Sequence, residues 1–154
     1  MKKVGEIVEG RGLLHVQAQA SVFDAAEFMT KHGIGAVPVL EEGRLVGVFS
    51  ERDLMTRVVV PGRDPRRTLI AEVMTRDLVV ADPGDTYENA IAKMAQRGCR
   101  HLPVVQGERL LGFLSLRDLL QVEIQEQADT LAMMTHYVQY IPPEVEQRFR
   151  DATS

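Results

Sequence analysis

The sequence contains no tryptophan, one cysteine and only 5% aromatic residues among 154 positions. The lone Cys99 excludes an intrachain disulfide and a four-cysteine zinc site, so a reducing compartment is the simple inference. No run approaches the roughly 20 apolar residues of a membrane span. The opening stretch has two lysines but no apolar core of a signal peptide, so we expect a cytoplasmic chain that makes no membrane contact. A basic excess is also missing. The formal net charge is −4, which argues against a sequence-independent grip on DNA, because that grip depends on clustered basic charge. His15, His32, His101 and His136 are dispersed without ligand spacing, and no metal site is expected. No nucleophile–base pair and no Gly-rich phosphate loop can be read, so the expectation is a protein that is not an enzyme.

What is present is an ordinary globular composition, 45% hydrophobic and 26% charged. A chain of this length buries roughly 70% of its unfolded surface and needs no covalent staple. It also repeats itself. Ser21 to Met55 aligns without a gap on Thr86 to Leu120, an offset of 65, with about a third of positions identical. The identities include Ala25/Ala90, Met29/Met94, Gly33/Gly98, Pro38/Pro103, Arg44/Arg109, Gly47/Gly112, Ser50/Ser115, Arg52/Arg117 and Asp53/Asp118. The register continues upstream through Arg11/Arg76 and Leu13/Leu78.

Each copy reads as β-α-β-β-α. Val22, Ala25, Ala26 and Met29, and likewise Tyr87, Ala90, Ile91 and Met94, lie at i, i+3, i+4, i+7 and predict a helix with one buried face. Gly33 and Gly98 stop these helices. Short apolar strands precede them at Leu13 to Val16 and Leu78 to Ala81. Hairpins follow, turning at Glu41-Glu42-Gly43-Arg44 and Gln106-Gly107-Glu108-Arg109, with the glycine displaced by one position. Ser50 and Ser115 then cap a second helix, through Leu54-Met55 or Leu119-Leu120. The predicted organisation is a first motif over 1–60, a polar linker over 61–68, a second motif over 69–122 and a helical tail over 123–154. The fold class is α+β, two tandem repeats packed in pseudo-twofold fashion plus a C-terminal helix. A cleft between similar halves is a favoured place for a small ligand.

The doubled pattern of glycine, a strand ending in Pro-Val, a hairpin and then Ser-x-x-Asp-Leu resembles the tandem CBS-domain pair, or Bateman module, over roughly residues 4 to 122. The resemblance implies a stand-alone regulatory module that binds an adenosine-containing ligand (AMP, ADP, ATP, an NAD-type dinucleotide or S-adenosylmethionine) between the repeats, pairs into homodimers and controls another protein. An ionised Asp accepts both vicinal ribose hydroxyls, which suits Asp53 and Asp118. Ser50 and Ser115 open helices whose free N–H groups favour a phosphate. The resemblance places the adenine slot at Leu14, Ile34, Gly35 and Ala36 in copy one and at Val79, Cys99, Arg100 and His101 in copy two, each followed by a stiffening proline, Pro38 or Pro103. Arg52 and Arg117 precede the ribose acids, and Arg100-His101 gives copy two additional cationic side chains. The second copy is therefore expected to hold the better-filled site. Copy one also has Gln17-Ala18-Gln19-Ala20 where copy two has the turn Asp82-Pro83-Gly84-Asp85.

Plainer readings remain open for several of these residues. Ser-x-x-Asp also makes a capping box, and Gly47 and Gly112 also mark bulges or close packing. Cys99 reads as a small buried or slot-lining residue rather than a redox centre. In the tail, Ile124, Ala128, Leu131, Met134 and Val138 follow helical spacing between Val122 and Tyr140, with Met133, Tyr137 and Tyr140 beside them, until Pro142-Pro143. That helix either packs on its own module or meets a partner. The alternative to a ligand sensor is a structural dimerisation module with vestigial sites.

Overall fold

The structure is a computed structural model that describes residues 2–139 and 142–153. The chain divides into two compact units, residues 1–119 and residues 120–154. In the first, helix α1 (Val4–Val8) leads to β1 (Val16–Gln17), α2 (Val22–His32) and the hairpin β2 (Ala36–Glu41) and β3 (Arg44–Ser50). One helical turn, α3 (Glu51–Asp53), continues as a π-helical segment, Leu54–Val59. Helix α4 (Ile70–Val73), α5 (Tyr87–Arg97) and the hairpin β4 (His101–Gln106) and β5 (Arg109–Ser115) repeat the order, followed by α6 (Leu116–Gln139) and α7 (Pro143–Thr153). The fold is α+β.

The helix signals act as read. Ser21 and Thr86 cap α2 and α5 by accepting from the N–H groups of Asp24 and Asn89, at 3.1 and 3.2 Å. Gly33 and Gly98 close them in the left-handed region, φ +62° and +65°. Val22, Ala25 and Met29 are buried on one helix, and Tyr87, Ala90 and Met94 on the other. The displaced turn glycine changes the turn type. In the two-residue loop between β2 and β3, Glu42 and Gly43 both have positive φ, the type I′ pattern, whereas between β4 and β5 only Gly107 does, as in type II′.

Three expectations need correction. The strand expected at Leu13 to Val16 is only Val16–Gln17, parallel to β2, and its counterpart at Leu78 to Ala81 shrinks to a single parallel bridge from Ala81 to Val104. Both serve as edges, and the chain spends its remaining lead-in residues elsewhere. The second helix of copy two does not stop near Leu120 before a separate tail helix. Leu116 to Gln139 contains no glycine or proline, so nothing interrupts the backbone ladder and the two merge into α6. Beyond Pro142, Pro143 opens α7, which suits a residue without an N–H at a first helical position. Tyr140, assigned to the tail helix from its spacing, lies outside the described residues.

The lead-in helices were not anticipated, and each packs on the other copy. α1, ahead of copy one, lies against β4 and β5, while α4, ahead of copy two, lies against β3. Backbone bonds lock the exchange: Val4 N–H donates to Asp85 O at 2.9 Å and Gly5 N–H to Pro83 O at 3.0 Å. Ile70 N–H likewise donates to Ala20 O and Ala71 N–H to Ala18 O, both at 2.9 Å. The strand glycines make this approach possible. A Cβ on Gly47 would sit 2.5 Å from Met74 Sδ, and one on Gly112 would sit 2.5 Å from Val8 Cβ. Each also faces a register shift, between Val39 and Leu40 or between Val104 and Val105, so both plainer readings of these glycines hold. Among the described residues, no helix is long and apolar enough to cross a membrane.

Candidate functional site

A cleft of about 480 Å³ opens within the first unit, a size suited to a nucleotide-sized ligand. Copy one contributes Leu14, Ile34, Gly35, Ala36 and Pro38, and copy two contributes Arg100, His101, Ser115, Arg117 and Asp118. The pairing crosses the repeat: the slot of copy one faces the Ser-x-x-Asp turn of copy two. Ser50, Arg52, Asp53, Val79, Cys99 and Pro103 do not line this cleft. Among the described residues, no group of three or more His, Cys, Asp or Glu is arranged to hold a metal ion.

The two ribose-acid candidates differ in what already occupies them. Asp53 is buried, and its carboxylate accepts from Ser50 N–H at 3.0 Å, Ser50 Oγ at 3.1 Å and Thr75 Oγ1 at 3.1 Å. Arg57 Nε approaches the same carboxylate at 3.7 Å while its Nη1 donates to Met74 O at 2.9 Å. These partners saturate both oxygens. Asp118 keeps the capping exchange, accepting from Ser115 N–H at 2.8 Å and donating its own N–H to Ser115 Oγ at 3.1 Å. Among the described residues, its other oxygen pairs with Arg11 Nη1 at 3.5 Å, a pair that remains 49% and 29% exposed. An ion pair that open to water is weak, so a ligand can displace it.

The remaining walls supply charge and a flat surface. Arg11, Arg100 and Arg117 bring three guanidinium groups near the cleft, against Asp118 and Glu51, whose carboxylate lies beside Gly35. His101 stacks on Phe113, centroids 5.4 Å apart and planes 11° from parallel. Burial holds the His101 imidazole below its ordinary pKa of 6.5, against the opposing pull of Asp118 and Glu51. Its ring offers an aromatic face to the cleft. Spacing alone did not assign Arg11, Gly12, Leu13, Phe113 or Leu116 to the site. Of these, Arg11 and Leu13 carry a sequence signal, their repeat pairing with Arg76 and Leu78.

The half-buried His101 makes stability depend on pH. Its folded pKa lies below the unfolded value, so the unfolded chain takes up the proton first as pH falls. The contribution is complete above about pH 6.5 and is lost as pH drops through the folded pKa. Urea unfolding at pH 8 and pH 5.5 should show a larger loss for the wild type than for His101→Asn. Equal losses would mean that another group carries the dependence.

Comparison with known proteins agrees with this architecture. The CBS domain model matches twice, over residues 4–60 and 70–124. The CBS domain-containing protein YhcV of Bacillus subtilis is 35% identical over 123 residues, covering 79% of this chain and 87% of YhcV. A protein with CBS domains from Burkholderia ambifaria superposes with a TM-score of 0.76 at 31% identity, over 82% of this chain and 96% of that one. CBSX2, solved in complex with AMP, shares the fold at a TM-score of 0.71 and 24% identity, over 82% of this chain and 99% of its own. With two matched motifs, two equivalent hairpins and an exchanged pair of lead-in helices, this chain belongs to the CBS-domain family.

Proposed function

We propose that the chain is a regulatory module that binds one adenosine-containing nucleotide in the Asp118 cleft and signals occupancy to another protein. The observation that carries this reading is the asymmetry of the two acids, one saturated from within and one facing a ligand-sized cavity. The ribose hydroxyls donate to Asp118, competing with Arg11, and the released guanidinium joins Arg100 and Arg117 on the phosphates. Adenine lies against Leu14 and the Ile34–Ala36 segment. Bridging groups from both copies favours one arrangement of the repeats over others, which is what a partner would sense. The neighbour that binds AMP supports the ligand class. Three guanidiniums against two carboxylates favour phosphate-bearing ligands over the cationic S-adenosylmethionine.

Thermal unfolding of nucleotide-stripped protein against AMP, ADP, ATP, NAD and S-adenosylmethionine, with GTP as control, tests this directly. A ligand at 100 times its dissociation constant adds about 2.7 kcal/mol of stability, visible as a shift. Calorimetry should then give one site per chain. Arg117→Ala should weaken ATP more than AMP and leave adenosine nearly unchanged. The absence of any shift would transfer the assignment to a structural dimerisation module, a reading that the internally satisfied Asp53 favours on its own side. Product formation from the bound nucleotide would point to a hydrolase.

A further inference from the structure

Two positions that changed between the copies leave Asp118 open, and one that did not change partly closes it. At the repeat offset of 65, Thr75 and Arg57, which occupy Asp53, correspond to Gly10 and Val122, which offer Asp118 neither a hydroxyl nor a cation. Arg11 and its counterpart Arg76 are the same residue used differently. Arg76 Nη2 donates to Ala71 O at 2.9 Å, whereas Arg11 Nη1 turns to Asp118 at 3.5 Å. Among the described residues, Arg100 and Arg117 line the cleft without an ion pair, so Arg11 is the guanidinium that holds the ribose acid before a ligand arrives. We propose that Arg11 is a specificity-determining residue, which selects phosphorylated nucleosides over the free nucleoside by contesting Asp118 until a phosphate is there to receive it.

This role rests on a nucleotide in the Asp118 cleft. A ribose that takes Asp118 strips Arg11 of its counter-charge. Adenosine brings nothing in exchange, so the lost ion pair counts against it. AMP or ATP brings oxyanions, with which a guanidinium makes paired, charge-assisted hydrogen bonds, and the eviction is more than offset. The backbone allows the exchange. Arg11 follows α1, its N–H on Val8 O at 3.1 Å, and opens a stretch, 11–15, that is neither helix nor strand. Its neighbours Gly12, Leu13 and Leu14 line the cleft, and nothing crowds Gly12. The side chain therefore swings from acid to phosphate without disturbing a helix or a sheet. Opposite signs separate Arg11 from Arg117: losing Arg117 removes a phosphate contact, while losing Arg11 also frees the acid for the ribose.

Titration calorimetry of the full chain with adenosine, AMP and ATP reads both signs. Arg11→Ala is expected to bind adenosine about two- to fivefold more tightly and ATP about tenfold more weakly, with thermal unfolding confirming that the variant is folded. Arg76→Ala should change each affinity by less than about twofold. Added salt screens the Arg11–Asp118 pair, so the wild type should bind neutral adenosine more tightly as ionic strength rises, and Arg11→Ala should not. In an Asp118→Ala background there is no acid to contest, and removing Arg11 should no longer favour adenosine. Equal losses for adenosine and ATP in Arg11→Ala, no change for either, or the same response in Arg76→Ala would overturn the proposal and leave the cleft assignment standing. Wild-type affinities for all three ligands in Asp118→Ala would overturn both.

Discussion

Replacing Asp118 with alanine is expected to weaken binding of AMP or ATP at least tenfold, a loss of ~1.5 kcal/mol or more, because the ribose loses its charged acceptor. The matched change at Asp53 should do the reverse. Asp53→Ala leaves Ser50 N–H and Thr75 Oγ1 without their acceptor and Arg57 without its carboxylate, costing about 2–3 kcal/mol of stability. It should leave nucleotide affinity within about twofold. Titration calorimetry paired with thermal unfolding separates the two effects. Unchanged affinity in Asp118→Ala, or a larger affinity loss in Asp53→Ala, would show that the open acid has been misassigned. Some loss of stability in Asp118→Ala is expected as well, since the side chain caps α6, at about 1 kcal/mol. That loss is present without ligand and can be subtracted.

Gly112→Ala is expected to destabilise the fold by about 1–3 kcal/mol, because the new methyl meets the branched Cβ of Val8 across the exchanged lead-in helix. Gly47→Ala should cost less. Its methyl meets the Met74 thioether, which is flexible enough to move aside, although Thr75 O at 3.0 Å limits the space. Removing the obstruction with Val8→Ala should rescue much of the Gly112→Ala loss, giving a coupling of about 1 kcal/mol in a double-mutant cycle. Strictly additive effects would mean that α1 does not rest on β5 in solution. The cycle therefore tests the least expected feature of the fold.

That feature shows where reading the chain stopped. Val22, Ala25 and Met29 announced their helix because side-chain period is a local property, and Gly33 ended it because φ +62° is a local demand. The hairpins were equally plain, down to the difference in their turns, since two adjacent residues decide a turn type. The lead-in helices were not. Val4–Val8 and Ile70–Val73 are too short for a period to emerge, and their stability comes from bonds to Asp85, Pro83, Ala20 and Ala18 rather than from their own residues. The edge strands were overextended for a related reason. Leu13-Leu14-His15-Val16 has strand-like composition, but pairing is granted by a neighbour, and β2 offers only two partners.

The candidate site divides along the same line. Whereas the Gly-Ala and Arg-His slots came from the family resemblance, the Ser-x-x-Asp turns and the arginines followed from residue types and from duplication, which the sequence by itself determined. So did the α+β class, the repeat boundaries in outline and the apolar spacing of the C-terminal helix. Only the tertiary structure decided which acid faces the cleft, because Thr75 reaches Asp53 from 22 positions away and no local pattern predicts that reach, although the Arg57 pair has ordinary i,i+4 spacing. It also decided that copy-one slot residues face the copy-two acid across one cleft, and that His101 stacks half-buried on Phe113. Each of these depends on which groups the packed chain brings within a few ångströms, where desolvation and competing hydrogen bonds set the charge and availability of a side chain.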